Sequence, residues 1–282
     1  MNNKEFKSFI KTVEGSEGNR CNYSTRLDTY GCGCQHDCKY CYAKSLLDFR
    51  KLWNPESPSV ADIGKIRRAI SKLEKGKIIR LGGMTDCFQD LERQEHVTYE
   101  TIKALNEYGI GYLIVTKSNL VAEDEYIGIL DKKLAHIQVT TTCFDDEYYK
   151  KLDYEKAPIP SKRIAAIERL QAEGFDVQLR LSPFIPDFVD FDRLNDIKCD
   201  KILVEFLRIN RWIKKWMDSD FSEYTIKCGG YYHLPLEKKI EYLKKIVGFK
   251  RITVCEDEDL AYNYWKYNFN PNPVDCCDLR LK

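Results

Sequence analysis

Residues 31–41 read "GCGCQHDCKYC" and hold Cys32, Cys34, Cys38 and Cys41 of the chain's 12 cysteines. Three of them, Cys34, Cys38 and Cys41, follow the spacing C-x3-C-x2-C. Gly31 and Gly33 let the backbone turn tightly between them. Thiolates are soft ligands suited to zinc and to iron–sulfur clusters. A [4Fe–4S] cube has four irons, so three cysteines leave one iron open to a small molecule. Spacing alone leaves two other arrangements open. A structural zinc site would recruit His36 or Cys32 as fourth ligand, although zinc ligands usually come from two knuckles and no second knuckle of this spacing occurs. A cluster used for electron transfer alone would take four cysteines.

Outward from this loop, strand and helix signals alternate. A strand near Tyr23 to Thr29 leads into the loop. Ile63, Ile66, Ile70 and Leu73 stand at helical spacing, with Gly76 as a stop, and the apolar run Ile78 to Leu81 reads as a buried strand. Tyr99, Ile102 and Leu105 predict a helix closed by Gly109. "YLIVT" (Tyr112 to Thr116) and "HIQVTTT" (His136 to Thr142) are further strands. Ser161 is expected to cap a helix carrying Ile164, Ile167 and Leu170 and ending at Gly174. "VQLRL" (Val177 to Leu181), "KILVEFL" (Lys201 to Leu207) and "RITVC" (Arg251 to Cys255) complete the strands. A late helix carries Leu236, Ile240, Leu243 and Val247.

About six or seven β/α units of this kind imply a parallel sheet, curved or closed into a barrel. The cysteine loop then follows the first strand, at the face where such barrels do chemistry. One domain with a cysteine-bearing tail is the simplest division.

The chain has 282 residues, 43% of them hydrophobic, and a formal net charge of +1. Bulk charge announces neither a nucleic-acid nor a membrane partner. The polar start "MNNKEFKSFIKTVEG" lacks a signal-peptide stretch, and no apolar run approaches a membrane span. The expectation is a soluble, cytoplasmic protein whose cysteines are thiols or metal ligands.

The string "GCQHDCKYCYA", with Tyr40 before the last cysteine, resembles the radical S-adenosylmethionine (SAM) superfamily. The chain is most similar to the branch related to spore photoproduct lyase. "TDCFQDLE" (Thr85 to Glu92), "LIVTKS" (Leu113 to Ser118), "APIPSKRI" (Ala157 to Ile164) and "LRLSPFIP" (Leu179 to Pro186) extend the likeness over roughly residues 23 to 210. The resemblance implies a partial (β/α)6-type TIM barrel at 23–210, an N-terminal extension at 1–22, and a C-terminal region at 211–282 that completes or caps it.

It also implies a [4Fe–4S] cluster on Cys34, Cys38 and Cys41, with the open iron chelated by the amino and carboxylate groups of SAM. A one-electron reductant such as flavodoxin or ferredoxin would feed it. Gly82 and Gly83 match a glycine turn whose backbone meets the amino group. Met84 stands where an acidic residue is common, so Thr85 or Asp86 would supply the polar contact. Lys117 and Ser118 match contacts to the carboxylate or ribose, and Thr140 a hydroxyl near the ribose. Alternation points Arg180 into the lumen, where a cofactor carboxylate or Glu205 would pair with it. Cys87 matches the region of the hydrogen-atom donor that quenches the substrate radical. Its other reading is a small buried hydrophobe.

Two features stand outside that core. Cys228, Cys255, Cys276 and Cys277 could hold a second cluster, or be buried or redox-active thiols. Asn270 to Pro273 reads as a turn that folds the tail back over the barrel. "RINRWIKKW" mixes Arg208, Arg211, Lys214 and Lys215 with Trp212 and Trp216. That composition suits nucleic acid, and equally an amphipathic helix with both tryptophans on one buried face. Three functions follow: a radical enzyme repairing a thymine photolesion or modifying a base in DNA or RNA, one acting on a peptide or small metabolite, or a non-catalytic metal-binding module.

Overall fold

Along the central strands apolar and polar side chains alternate, and this decides which face meets the helices. The computed structural model describes residues 9–153 and 156–279. The expectations for residues 1–8 lie outside these. Eight strands form one sheet in chain order: β1 (Ile10–Thr12), β2 (Thr25–Leu27), β3 (Ile78–Leu81), β4 (Gly111–Thr116), β5 (Ala135–Thr141), β6 (Asp176–Phe184), β7 (Lys201–Phe206) and β8 (Arg251–Val254). β1 pairs antiparallel with β2, and every later neighbour is parallel. Edge strands β1 and β8 do not pair with each other, so the sheet stays open rather than closing.

Helices α1 (Tyr42–Phe49), α2 (Ile63–Ile70), α3 (Val97–Tyr108), α4 (Pro160–Ala172), α5 (Arg211–Trp216) and α6 (Leu236–Leu243) lie between strands, and α7 (Asp259–Asn268) follows β8. Leu81, Ile114, Val139, Leu179, Leu181 and Val204 are fully buried in the main core. Each contributes about 1.5–3 kcal/mol through the area it removes from water. Several intervening positions are polar, while Leu113 and Leu203 form a small separate apolar cluster with Tyr23 and Cys277. Gln138 donates to Gln178 at 2.8 Å, and Arg180 donates to Gln138 at 2.7 Å. A sheet with an apolar outer face and a partly polar inner face surrounds a hollow suited to a polar ligand.

The tail enters that hollow. Val254 N–H donates to Asn270 Oδ1 at 2.8 Å and Asn270 Nδ2 returns a bond to Val254 O at 2.9 Å. Tyr23 donates to Asp275 at 2.7 Å, and Lys201 reaches the Asp278 carbonyl at 3.0 Å. The expected return of the tail over the barrel is therefore seen.

Several local expectations need correction. Ile159, not Ser161, occupies the α4 N-cap, because Pro160 takes the first helical position with its preset φ. Ser161 instead donates its N–H (2.9 Å) and hydroxyl (2.6 Å) to Asp146 on the neighbouring loop. α6 ends at Leu243, and Val247 lies beyond it, exposed. Trp212 and Trp216 do share a helical face and stack at 6.2 Å, but they are half-buried; Ile213 is the residue α5 buries. Among the described residues, no helix is long and apolar enough to cross a membrane.

Candidate active site

The cysteine loop is built from tight turns. Asp37 N–H bonds Cys34 O at 3.0 Å and Cys41 N–H bonds Cys38 O at 3.2 Å. Any side chain at position 33 would collide with the backbone, since a Cβ there would lie 2.0 Å from Asn54 O. Gln35 and Gln89 clip the loop to the stretch after β3: Gln35 N–H donates to Gln89 at 2.8 Å, and Leu91 N–H donates to Gln35 at 2.7 Å. Cys41 caps α1 and accepts from Lys44 N–H at 3.4 Å.

Cys34 and Cys38 are buried and Cys41 half-buried. Burial pushes the Cys34 thiol up to about 12, the Cys38 thiol well above its ordinary value, and the Cys41 thiol upward. Cys38 lies near enough to feel both Cys34 and Cys41 as charges. Three convergent soft donors in a site that resists bare thiolates fit a metal centre, whose positive charge would hold them deprotonated. His36 turns Nδ1 toward Asp86 Oδ2 at 3.3 Å, without the alignment of a hydrogen bond.

A cavity opens from Cys38 and Cys41. Tyr40, Tyr42, Lys117, Thr140, Arg180 and Ser182 also line it. The Lys117 ammonium stands 5.0 Å from the Tyr40 ring centroid. Tyr40 donates to Asp153 at 2.7 Å, and Arg163 donates to the same carboxylate at 2.7 Å, with both partners of that ion pair 1% exposed. Arg180 pairs with Glu205, which also accepts from Ser182 at 2.7 Å. Burial would raise the Glu205 carboxyl, but Arg180 and Arg208 bring it down to about 2.

Five expected contributors, Gly82, Gly83, Thr85, Asp86 and Ser118, do not line this cavity, because the fold uses them internally. The Gly83, Met84 and Thr85 amides wrap the Asp28 carboxylate at 2.8, 3.0 and 3.1 Å. Tyr42 occupies the Gly83 carbonyl at 2.5 Å, so the turn at Gly82 and Gly83 is satisfied from within. Gly82 has φ +87°, and a Cβ there would sit 2.9 Å from Val115 O. Thr85 donates its hydroxyl to Tyr30 O at 2.6 Å. Asp86 accepts from Thr116 and from Lys117 N–H, each at 2.7 Å, tying the end of β3 to that of β4. Burial raises its carboxyl, but His36 and these donors overcome that and leave it at about 2. Ser118 caps the short turn Asn119–Ala122.

Cys87 is also placed away from the cavity. It is 1% exposed, sits in the main core, and points its thiol at Leu27 O, 3.7 Å away. Its buried-hydrophobe reading is the one the geometry fits.

Sequence reasoning missed Asp28, Tyr42, and Arg26 and Arg80 of the inner wall. Arg26, Arg80, Arg180 and Arg208, with Glu205 and Phe206, border both this cavity and a second one deeper in the lumen. Cys21, Cys255, Cys276 and Cys277 line the deeper cavity. Cys228 does not join them; it lies half-buried on the hairpin formed by Ile226–Cys228 and Tyr231–His233.

A family model described as the radical SAM superfamily matches residues 29–198. An uncharacterized protein of Methanocaldococcus jannaschii is 31% identical over 202 residues, covering 68% of this chain and 74% of that protein. An uncharacterized protein of Mycobacterium tuberculosis is 25% identical over 172 residues, 56% of this chain; the matched stretch spans 49% of that relative. A solved structure of spore photoproduct lyase complexed with dinucleoside spore photoproduct shares the fold, with a TM-score of 0.61 at 13% identity over 88% of this chain and 81% of that one.

Proposed function

The chain belongs to the radical SAM superfamily, and on that premise we propose that it is a radical enzyme acting on a nucleic-acid base, to repair a photolesion or to modify the base. Cys34, Cys38 and Cys41 would hold the [4Fe–4S] cluster, and SAM would take its fourth iron. Once bound and reduced, by a donor such as flavodoxin or ferredoxin, this pair supplies a 5′-deoxyadenosyl radical from the one-electron cleavage of the SAM sulfonium.

The chain's own residues hold and orient. Asp153 and Arg163 fix Tyr40 as an aromatic wall beside Cys41. Lys117 presents a cation toward the carboxylate end of SAM, a charge-assisted contact. Thr140 offers a hydroxyl from the floor of the same cavity. Arg180, set by Gln138 and Glu205, stands between that cavity and the deeper one. Cys87, sealed in the core, is given no part in returning hydrogen to the substrate.

The observation that supports a nucleic-acid substrate is the inner wall. The cavity beside the cysteine loop is bordered by Arg26, Arg80, Lys117, Arg180 and Arg208 against Glu205. A wall richer in guanidinium than in carboxylate suits phosphates, which arginine meets with a planar fork. Phe206 and Tyr231 add aromatic faces for a base at the cavity beside the cysteine loop.

The test is anaerobic reconstitution followed by a screen of irradiated DNA, plain DNA and tRNA for 5′-deoxyadenosine release. One of these should stimulate release, and binding should weaken steeply with salt. Stimulation by peptides or small metabolites alone would overturn the reading.

A further inference from the structure

We propose that Cys21, Cys255, Cys276 and Cys277 form a second metal site in the deep end of the lumen and hold a fully cysteine-ligated [4Fe–4S] cluster. The four thiols come from three distant segments: the chain before β2, the residue after β8, and the returning tail. They line one cavity together. The Cys276 thiol lies close enough to those of Cys255 and Cys277 to interact with both, and Cys21 is near enough to feel Cys255 and Cys277 as charges.

The tail is held there by directed bonds. Asn270 grips β8 at both its amide and its carbonyl oxygen, Asp275 accepts from Tyr23 and from Cys277 N–H (2.9 Å), and Asp278 is bonded by Arg251 at 2.5 Å. An adjacent cysteine pair is thus carried into a hollow where two other thiols wait.

Chemistry favours a cluster over bare thiols or a single zinc ion. Among the described residues, no three of these sulfurs lie within 4.8 Å of one another. Zinc bonds of about 2.3 Å would draw tetrahedral sulfurs to roughly 3.8 Å. A cube binds through its corners and accepts a wider set, and these thiols face open space of about 90 Å³. Four thiolates also bring a negative charge, and Arg20, Arg26, Arg80 and Arg180 border the same cavity to balance it. Assembly from two ferrous ions, two ferric ions and four sulfides exchanges four S–H bonds for four S–Fe bonds and releases four protons, with no net change of oxidation state. With every iron ligated by cysteine, this cluster would have no open position for SAM.

The site does not depend on the substrate reading. Its test is iron and sulfide analysis, with EPR, of the full-length chain reconstituted anaerobically with sulfide and equal amounts of ferrous and ferric iron. The combined variant Cys34→Ala, Cys38→Ala, Cys41→Ala should keep about four irons and four sulfides per chain. Its reduced EPR signal should not shift on adding SAM. Cys276→Ala with Cys277→Ala in the otherwise native chain should lose about half of the iron while keeping the SAM-responsive signal. An iron-free first variant of native circular dichroism would overturn the proposal, as would stoichiometric zinc in place of iron. Should that variant fail to fold, the second one decides: unchanged iron refutes the site. Deoxyadenosine formation by the native chain, read separately, reports on the first cluster alone.

Discussion

Asp28 shapes the turn after β3, and Asp28→Ala should show how much the site leans on it. The carboxylate accepts from three consecutive amides, Gly83, Met84 and Thr85. Gly83 and Thr85 are buried, while Met84 is half-buried and its amide can find water. Alanine would strand two buried donors, at about 1–3 kcal/mol each. Removing the carboxylate also relieves its own burial, which pushes the Asp28 carboxyl up against the pull of those amides. The net loss should be about 3 kcal/mol, roughly a hundred-fold in the folding equilibrium. Asp28→Asn keeps one oxygen for the amides and should cost only about 1 kcal/mol. Urea unfolding of the cluster-free protein under reductant, followed by circular dichroism, measures both. A loss below about 1 kcal/mol for alanine, or equal losses for the two variants, would refute the reasoning.

Asp153→Ala should destabilise by about 3–5 kcal/mol, because it leaves Arg163 charged and buried and Tyr40 without its acceptor; the same unfolding assay checks it. Lys117→Ala should weaken SAM binding to the reconstituted protein by about 1–3 kcal/mol in a titration, and unchanged affinity would remove Lys117 from the site. Cys87→Ala should lower the urea midpoint modestly, as a small core truncation does, and leave deoxyadenosine release and product identity unchanged. Diversion of product to adducts would instead return Cys87 to the mechanism.

The strands and most helices were legible because their apolar spacing answers to one buried face. The run Ile78 to Leu81 fell where expected, and "YLIVT" gained one residue, Gly111. Alternation also put Arg180 on the inner face. The same rule applied to "IIRL" would have placed Arg80 on that face, where register sets Arg26 opposite it. Asp28 was not legible: nothing in "RLDTY" says that its carboxylate will meet amides 55 to 57 residues onward. Ser161 misled because a capping residue and a serine one place inside a proline-started helix look alike in sequence. The companion of the tail cysteines was misread for a similar reason. Cys228 is closer in sequence to Cys255, but Cys21 is brought in by the tail's return across β2 and β8, a long-range contact that composition cannot show.

The central claim is that Cys34, Cys38 and Cys41, without Cys32, hold the cluster that cleaves SAM. Each of the four should be replaced by alanine, the protein reconstituted anaerobically, and 5′-deoxyadenosine quantified after reduction. Native protein and Cys32→Ala should form it; Cys34→Ala, Cys38→Ala and Cys41→Ala should not. Loss of activity in Cys32→Ala equal to that in Cys38→Ala, or cleavage that survives any of the other three, would contradict the account.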